Sequence, residues 1–275
     1  MTNRFGLALC VLVAPLTGCA SFSTFGLART LNHGAVQGWV APSGGGAVAT
    51  SSSSSVGVGY PFLEGGVRYG VTDNVELGGK LGFNGITIES KFGLVRSPTM
   101  DHGFDLSLAP QVGFIGYGAS AGTGSSSSSS FVAVLTAQLP VLVGVDIGGH
   151  ELVFGPRVVD QVLFGAVSSG GTGGSSGSGT ADLLYVGGSL GFAIRASASV
   201  RILPEFAFGV PVFASANDVG SSSFGGMIFQ GGVGFLFGSS DQYESAPPPP
   251  PPQPMAQPTP PPPPPATTAP PPAAP

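Results

Sequence analysis

Charge is scarce in this chain: 8% of residues are Asp, Glu, Lys or Arg, against about 25% in a typical soluble domain. That density cannot cover a water-facing surface with polar groups. The chain is not a disordered one either, because Val, Leu, Ile and Phe recur between its Gly-rich stretches. Long apolar runs are also missing. Beyond the N-terminus no stretch of about 20 apolar residues occurs, which excludes helical membrane spans. Cysteine is confined to Cys10 and Cys19, so everything downstream lacks a disulfide, a CxxC metal site or a Cys nucleophile. There is no basic patch and the net charge is −5, which argues against nucleic acid as a partner. Gly-rich stretches such as residues 170–179 lack a following Gly-Lys-Ser/Thr and are not phosphate loops. No motif calls for a cofactor.

What is present is alternation. The run 224–237, FGGMIFQGGVGFLF, puts Met227, Phe229, Val233, Phe235 and Phe237 on one face and Ile228, Gln230, Gly232, Gly234 and Leu236 on the other. Period-two patterning of this length suits a tilted strand crossing a bilayer. The same pattern recurs in residues 35–42, 61–71, 74–83, 85–95, 103–117, 131–145, 151–167, 183–196 and 200–212, giving about ten strands. Trp39, the only tryptophan, falls in the first run, where the face assignment is ambiguous. Asp160 interrupts the pattern by landing on an apolar face.

Nearly every strand charge shares a face with the glycines. Acids (Glu64, Glu76, Glu89, Asp105, Glu205) and bases (Arg68, Lys80, Lys91, Arg157, Arg195, Arg201) occur there in similar numbers. Enclosed charges are tolerable when paired or hydrogen-bonded, so that face reads as a lumen with a charge network, and the apolar face as lipid-facing. A soluble sandwich would reverse this arrangement. The expected fold is an all-β, antiparallel, up-and-down transmembrane β-barrel.

Connections support the same topology. Long Ser/Gly-rich stretches (43–60, 118–130, 168–182, 214–223) alternate with short ones (72–73, 96–102, 146–150, 197–199), as external loops alternate with periplasmic turns. The short 83–85 link is the one mismatch. On this scheme both chain ends are periplasmic.

The N-terminus carries Arg4 and an apolar stretch from Phe5 to Pro15, the makings of a signal peptide over residues 1–18. It ends in Leu16-Thr17-Gly18-Cys19, which resembles the lipobox of bacterial lipoproteins. That resemblance implies diacylation of Cys19 and cleavage before it; Ala20 after it implies sorting to the outer membrane. The whole layout resembles small outer-membrane β-barrel proteins of Gram-negative bacteria, in particular barrel lipoproteins of deltaproteobacterial type. The residues behind the likeness are that lipobox, Ala28-Arg29-Thr30-Leu31, the GVRYGVTDNVELG stretch at 66–78, and the terminal Phe235-Leu236-Phe237. It implies outer-membrane lipid and the barrel-assembly machinery as partners.

The division expected is a signal peptide (1–18), a periplasmic linker (19–33), the barrel (34–238) and a disordered Pro-rich periplasmic tail (239–275). Proline-rich sequence favours an extended rod, here on the order of 90 Å. It could contact peptidoglycan or a periplasmic protein, or act as a spacer. His33, His102 and His150 fall at periplasmic strand ends, away from the rim where some ten-stranded barrels carry Asp/His protease sites. No enzyme activity is expected. A structural or surface-interaction role leads, with a narrow passive pore for small solutes and a peripheral β-sandwich lipoprotein as alternatives.

Overall fold

A computed structural model describes residues 21–50, 55–82, 85–98, 102–123, 126–169, 176–216 and 225–238. The signal-peptide reading, Cys19 and the Pro-rich tail lie outside the described residues. The described chain after residue 35 is a run of antiparallel strands. They are β1 (Val36–Thr50), β2 (Ser55–Thr72), β3 (Val75–Gly82), β4 (Gly85–Val95), β5 (His102–Leu108) and β6 (Gln111–Thr123). Then come β7 (Ser126–Ile147), β8 (His150–Ser169), β9 (Ser176–Arg195), β10 (Val200–Ala216) and β11 (Gly225–Gly238).

Ten of these positions make one closed ring, because β5 and β6 are two halves of a single wall strand. Both pair with β4 on one side and β7 on the other, and the register is unchanged across the gap: Leu108 faces Val141 and Gln111 faces Gln138. The gap falls at Ala109–Pro110, opposite Pro140. A proline nitrogen has no hydrogen to donate, so the ladder thins here to the bonds the prolines can accept, from Ala109 to the Pro140 carbonyl at 2.9 Å and from Ser90 to the Pro110 carbonyl at 3.0 Å. The ring closes between first and last strands, with Gln37 facing Gly238 and Thr50 facing Gly225. Closure removes the two-sheet sandwich from consideration and leaves no exposed edge.

The wall is taller than the apolar alternation suggests. Much of the Ser/Gly-rich sequence expected to form loops is paired strand. The β1–β2 ladder continues to Thr50↔Ser55, β6–β7 to Thr123↔Ser126, and β8–β9 to Ser168↔Ser176. Ladder bonds are made by backbone, so strands can continue past the lipid-facing belt without apolar side chains. At the opposite end the turns are tight. Gly148 and Gly149, both at positive φ, form the two-residue link between β7 and β8, the conformation that hairpin twist favours. That end, which also holds Val36 and Gly238, is called the base below.

The outer surface is apolar and open. Ile88 is 71% exposed, Leu81 62% and Leu94 61%, while Glu64, Arg68, Glu76 and Asp105 are buried. Large apolar groups outside and charges inside is the reverse of a soluble barrel and is the pattern of a membrane-spanning one. Asp160 does lie on the outer wall, on the strand next to Asp182 of β9. Trp39 faces inward, its ring tilted 39° against that of Phe25 at 5.9 Å between centroids.

Candidate functional site in the barrel lumen

Residues 21–32, expected to be a periplasmic linker, are inside the barrel. Phe22, Phe25, Leu27, Ala28 and Leu31 are all under 5% exposed. The segment has no ladder of its own, so its peptide groups must find partners on the wall, and the wall supplies them as side chains. Glu205 accepts from the N–H groups of Thr24 (2.9 Å) and Phe25 (2.7 Å). Gln230 accepts from Phe22 (2.8 Å) and Ser23 (3.3 Å). Glu151 accepts from Ala28 (2.7 Å) and Glu76 from Leu31 (3.0 Å). The carbonyls are matched by donors. Arg68 gives Nη2 to Thr24 (2.7 Å) and Nη1 to Phe25 (2.9 Å). Gln138 reaches Ser21 (2.7 Å), Lys80 reaches Ser23 (3.3 Å) and Lys91 reaches Arg29 (3.5 Å).

These same side chains neutralise one another. Arg68 pairs with Glu89 at 2.5 Å and Glu76 at 3.6 Å, Lys91 with Glu76 at 2.9 Å, Lys80 with Glu64 at 3.9 Å and Arg157 with Glu205 at 3.8 Å. The segment adds a charge of its own: Arg29 lies 3.5 Å from Asp105 and donates to the Ser97 carbonyl. Burying an ion costs several kcal/mol unless its remaining lone pairs and protons are bonded. Here the enclosed main chain provides many of those bonds.

Phe25 is the anchor. Its φ is +40°, in the left-handed region that a bulky residue seldom adopts. Its fully buried ring packs with Trp39, Leu203 and Leu236, and the Trp39 ring also carries the Arg68 guanidinium 5.2 Å from its centroid. A strain of about 1–3 kcal/mol is held there by the ring contacts and by bonds to both of the residue's peptide groups. The wall makes room with glycine: a Cβ on Gly232 would lie 2.9 Å from the Phe25 ring, and one on Gly234 3.0 Å. Gly209 does the same beneath Phe22, at 3.0 Å, and Gly144 beneath Ala28, at 2.8 Å. The luminal glycines thus leave space for a chain.

Every charge assigned to the lumen by alternation is buried there except Arg195, which is exposed at the base end of β9, beside Gly149. Its neighbour Ile194 faces lipid correctly, but the strand ends at Arg195 and the wall no longer encloses it. Gln138 and Gln230 face the lumen as alternation places them, and Glu151 and Asp146, which the expected network does not contain, belong to the lumen too. Glu151 and Asp146 sit at the ends of apolar runs, where alternation has no flank to test it. His33, His102 and His150 stand at the base: His33 Nδ1 is 2.7 Å from the Val71 carbonyl, while His102 opens β5 and His150 opens β8. Among the described residues no group of His, Cys, Asp and Glu has metal-binding geometry.

Above Phe22 the character of the lumen changes. Inward residues Ile115, Val134, Val159, Leu163, Leu183 and Ile228 form an apolar layer with Phe22 and Tyr185, whose rings meet edge-to-face at 5.7 Å.

No family model matches the chain, and no curated protein matches its sequence. Solved structures do match in architecture. The outer membrane protease OmpT of Escherichia coli shares 8% identity, with 76% of this chain and 98% of that one covered at a TM-score of 0.44. The translocator domain of the autotransporter NalP of Neisseria meningitidis shares 15%, covering 74% and 89%, also at 0.44. Ail, the attachment invasion locus protein of Yersinia pestis, shares 10%, covering 74% and 99% at 0.30. What makes this chain a membrane-type β-barrel is its own closed ladder, apolar exterior and charged interior. At these identities the likeness concerns fold alone.

Proposed function

We propose that this protein is a bacterial outer-membrane barrel closed by its own amino-terminal segment, with a structural or surface-interaction role and no enzymatic activity. The observation that carries the reading is the occupied lumen. Between segment and wall the residual cavity bounded by Thr24, Gly26, Arg68, Glu76, Glu89 and Lys91 is about 10 Å³, room for one water. On this reading the seated segment stands where ions and solutes would otherwise pass. The base is then the periplasmic end, and the paired Ser/Gly-rich strands stand outside the cell as a hydrated collar.

The lipid on Cys19 belongs to the same proposal with a geometric condition. Cys19 is two residues beyond Ser21 and so within about 7 Å of it along the chain. A segment seated in the lumen therefore keeps Cys19 away from the inner leaflet. Unseated and extended, residues 19–33 would span about 50 Å, enough to reach that leaflet from the base. Lipid insertion and seating are thus alternatives. The barrel-assembly machinery would insert the barrel, and the Pro-rich tail would meet peptidoglycan or a periplasmic protein.

Planar-bilayer recording tests the central claim. The full chain should show no steady single-channel current; a stable unitary conductance would favour the narrow-pore reading instead. Intact mass spectrometry of the membrane-extracted protein tests the lipid, which predicts loss of residues 1–18 and acyl mass on Cys19.

A further inference from the structure

The bonds that hold residues 21–32 are mostly to the peptide backbone. Gln230, Glu205, Glu151 and Glu76 accept main-chain N–H groups, and Gln138, Lys80, Arg68 and Lys91 donate to main-chain carbonyls. Side chains add contacts of their own: the Thr24 hydroxyl bonds Glu205, the Thr30 hydroxyl donates to the Asp73 carbonyl, and Leu27 and Ala28 are buried against the wall. Phe22 enters the apolar layer, Phe25 enters the Trp39–Leu203–Leu236 pocket, and Arg29 meets Asp105. The wall thus reads an extended chain mainly through its backbone, with aromatic residues three apart and an arginine four further on as the largest side-chain features and apolar groups at Leu27 and Ala28 besides. Hydrogen-bonding capacity also remains. Gln161 is fully buried with both amide atoms unpartnered, and the Oε1 atoms of Gln138 and Gln111 are unpartnered as well. Gln161 and Gln138 lie on the adjacent strands β8 and β7, and Gln138 is the residue that holds the Ser21 carbonyl.

From this pattern we infer that the lumen is a polypeptide-binding lane. Its ligand class is an extended peptide with Phe-x-x-Phe spacing, and residues 21–32 are the tethered copy of that ligand. The inference rests on the closed-barrel reading above and adds to it that the site accepts such a peptide from outside the chain. Only reversible hydrogen bonds, ion pairs and apolar contacts hold the segment, and Gly34, at φ +78°, turns it back to β1 next to the exposed His33. A peptide of the same pattern can therefore replace it.

The test keeps the full chain and inserts a protease site between His33 and Gly34. After cutting in detergent, the freed segment should either co-elute with the barrel or be exchanged for an added fluorescent peptide of sequence SFSTFGLARTLN. The same peptide N-methylated at the Thr24 and Phe25 amides loses both bonds to Glu205. It should compete about 100-fold more weakly or worse, from two charge-assisted bonds. Changing Ser23 and Thr30 of the peptide to Ala should shift competition by less than about tenfold, the size of one ordinary hydrogen bond. Equal competition by the N-methylated peptide overturns backbone reading. So does a cut barrel that loses its segment, keeps its heat-modifiable gel mobility and takes up no peptide. A cut, emptied barrel that conducts yet refuses peptide defeats the lane and leaves closure standing, whereas conduction by uncut protein defeats closure itself.

Discussion

The two halves of the lumen solve the problem of an enclosed interior in opposite ways. Toward the base the wall presents charges, glycines and amides, and another piece of chain lies among them, bonded peptide group by peptide group. Beyond Phe22 the inward residues are mostly apolar, Ile115, Val134, Leu163, Leu183 and Ile228 packed with one another, with the buried Gln161 between Val159 and Leu163 on β8. Polar groups taken from water need partners, and in the base half the segment supplies many of them. Apolar groups need only contact, which the far layer has. The charged lining is therefore better understood as a binding surface for backbone than as the wall of an aqueous channel.

Changes on either side should break this contrast unequally. Glu205→Ala removes the acceptor of two N–H groups and the partner of Arg157. Loss of one member of a buried pair costs about 3–5 kcal/mol, so the segment should leave its seat, visible as steady current in a bilayer and rapid amide exchange over residues 21–32. Leu163→Ala in the far layer should cost about 2–5 kcal/mol of barrel stability. Urea unfolding should register it, while amide exchange in the segment stays slow beyond Phe25. If both variants unseat the segment equally, the halves are not independent.

Gly234→Val would drive a side chain into the Phe25 ring, whose nearest atom is 3.0 Å from a Cβ there. Overpacking of this kind costs about 1–3 kcal/mol; intermittent rather than steady conductance should follow. Arg195→Ala should sharpen the comparison from the other side. Its side chain is exposed, so unfolding midpoint and conductance should match the parent, within about 0.5 kcal/mol. A large effect would return Arg195 to the lumen.

The lipid-facing pattern was legible because lipid imposes it residue by residue. Leu63, Val67, Leu77, Leu81, Phe206 and Phe208 alternate with small or polar residues, and all six stand exposed on the outer wall. The Ser/Gly collar was not legible, since ladder bonds in water leave no apolar signature; 43–60 reads as loop although most of it is paired. Trp39 could not be assigned because Pro42 and the glycines after it give no flank for the alternation, and its tilted ring contact with Phe25 is a contact with a segment outside the strands. Inside the barrel, the sequence indicated that charges would be enclosed and balanced. It did not indicate their partners, because Glu205 and Thr24 are 181 residues apart.

By itself, then, the sequence determined that a closed, lipid-facing wall of about ten strands would form and, for every strand but the first, which face would look inward. Those are consequences of local alternation and of the rule that no backbone group goes unpaired in lipid. Only the tertiary structure decided what fills the inside. Residues 21–32 have no periodicity to declare a strand or helix, and their conformation is imposed by Glu205, Gln230, Arg68 and Glu151 once the wall has brought those side chains around one axis.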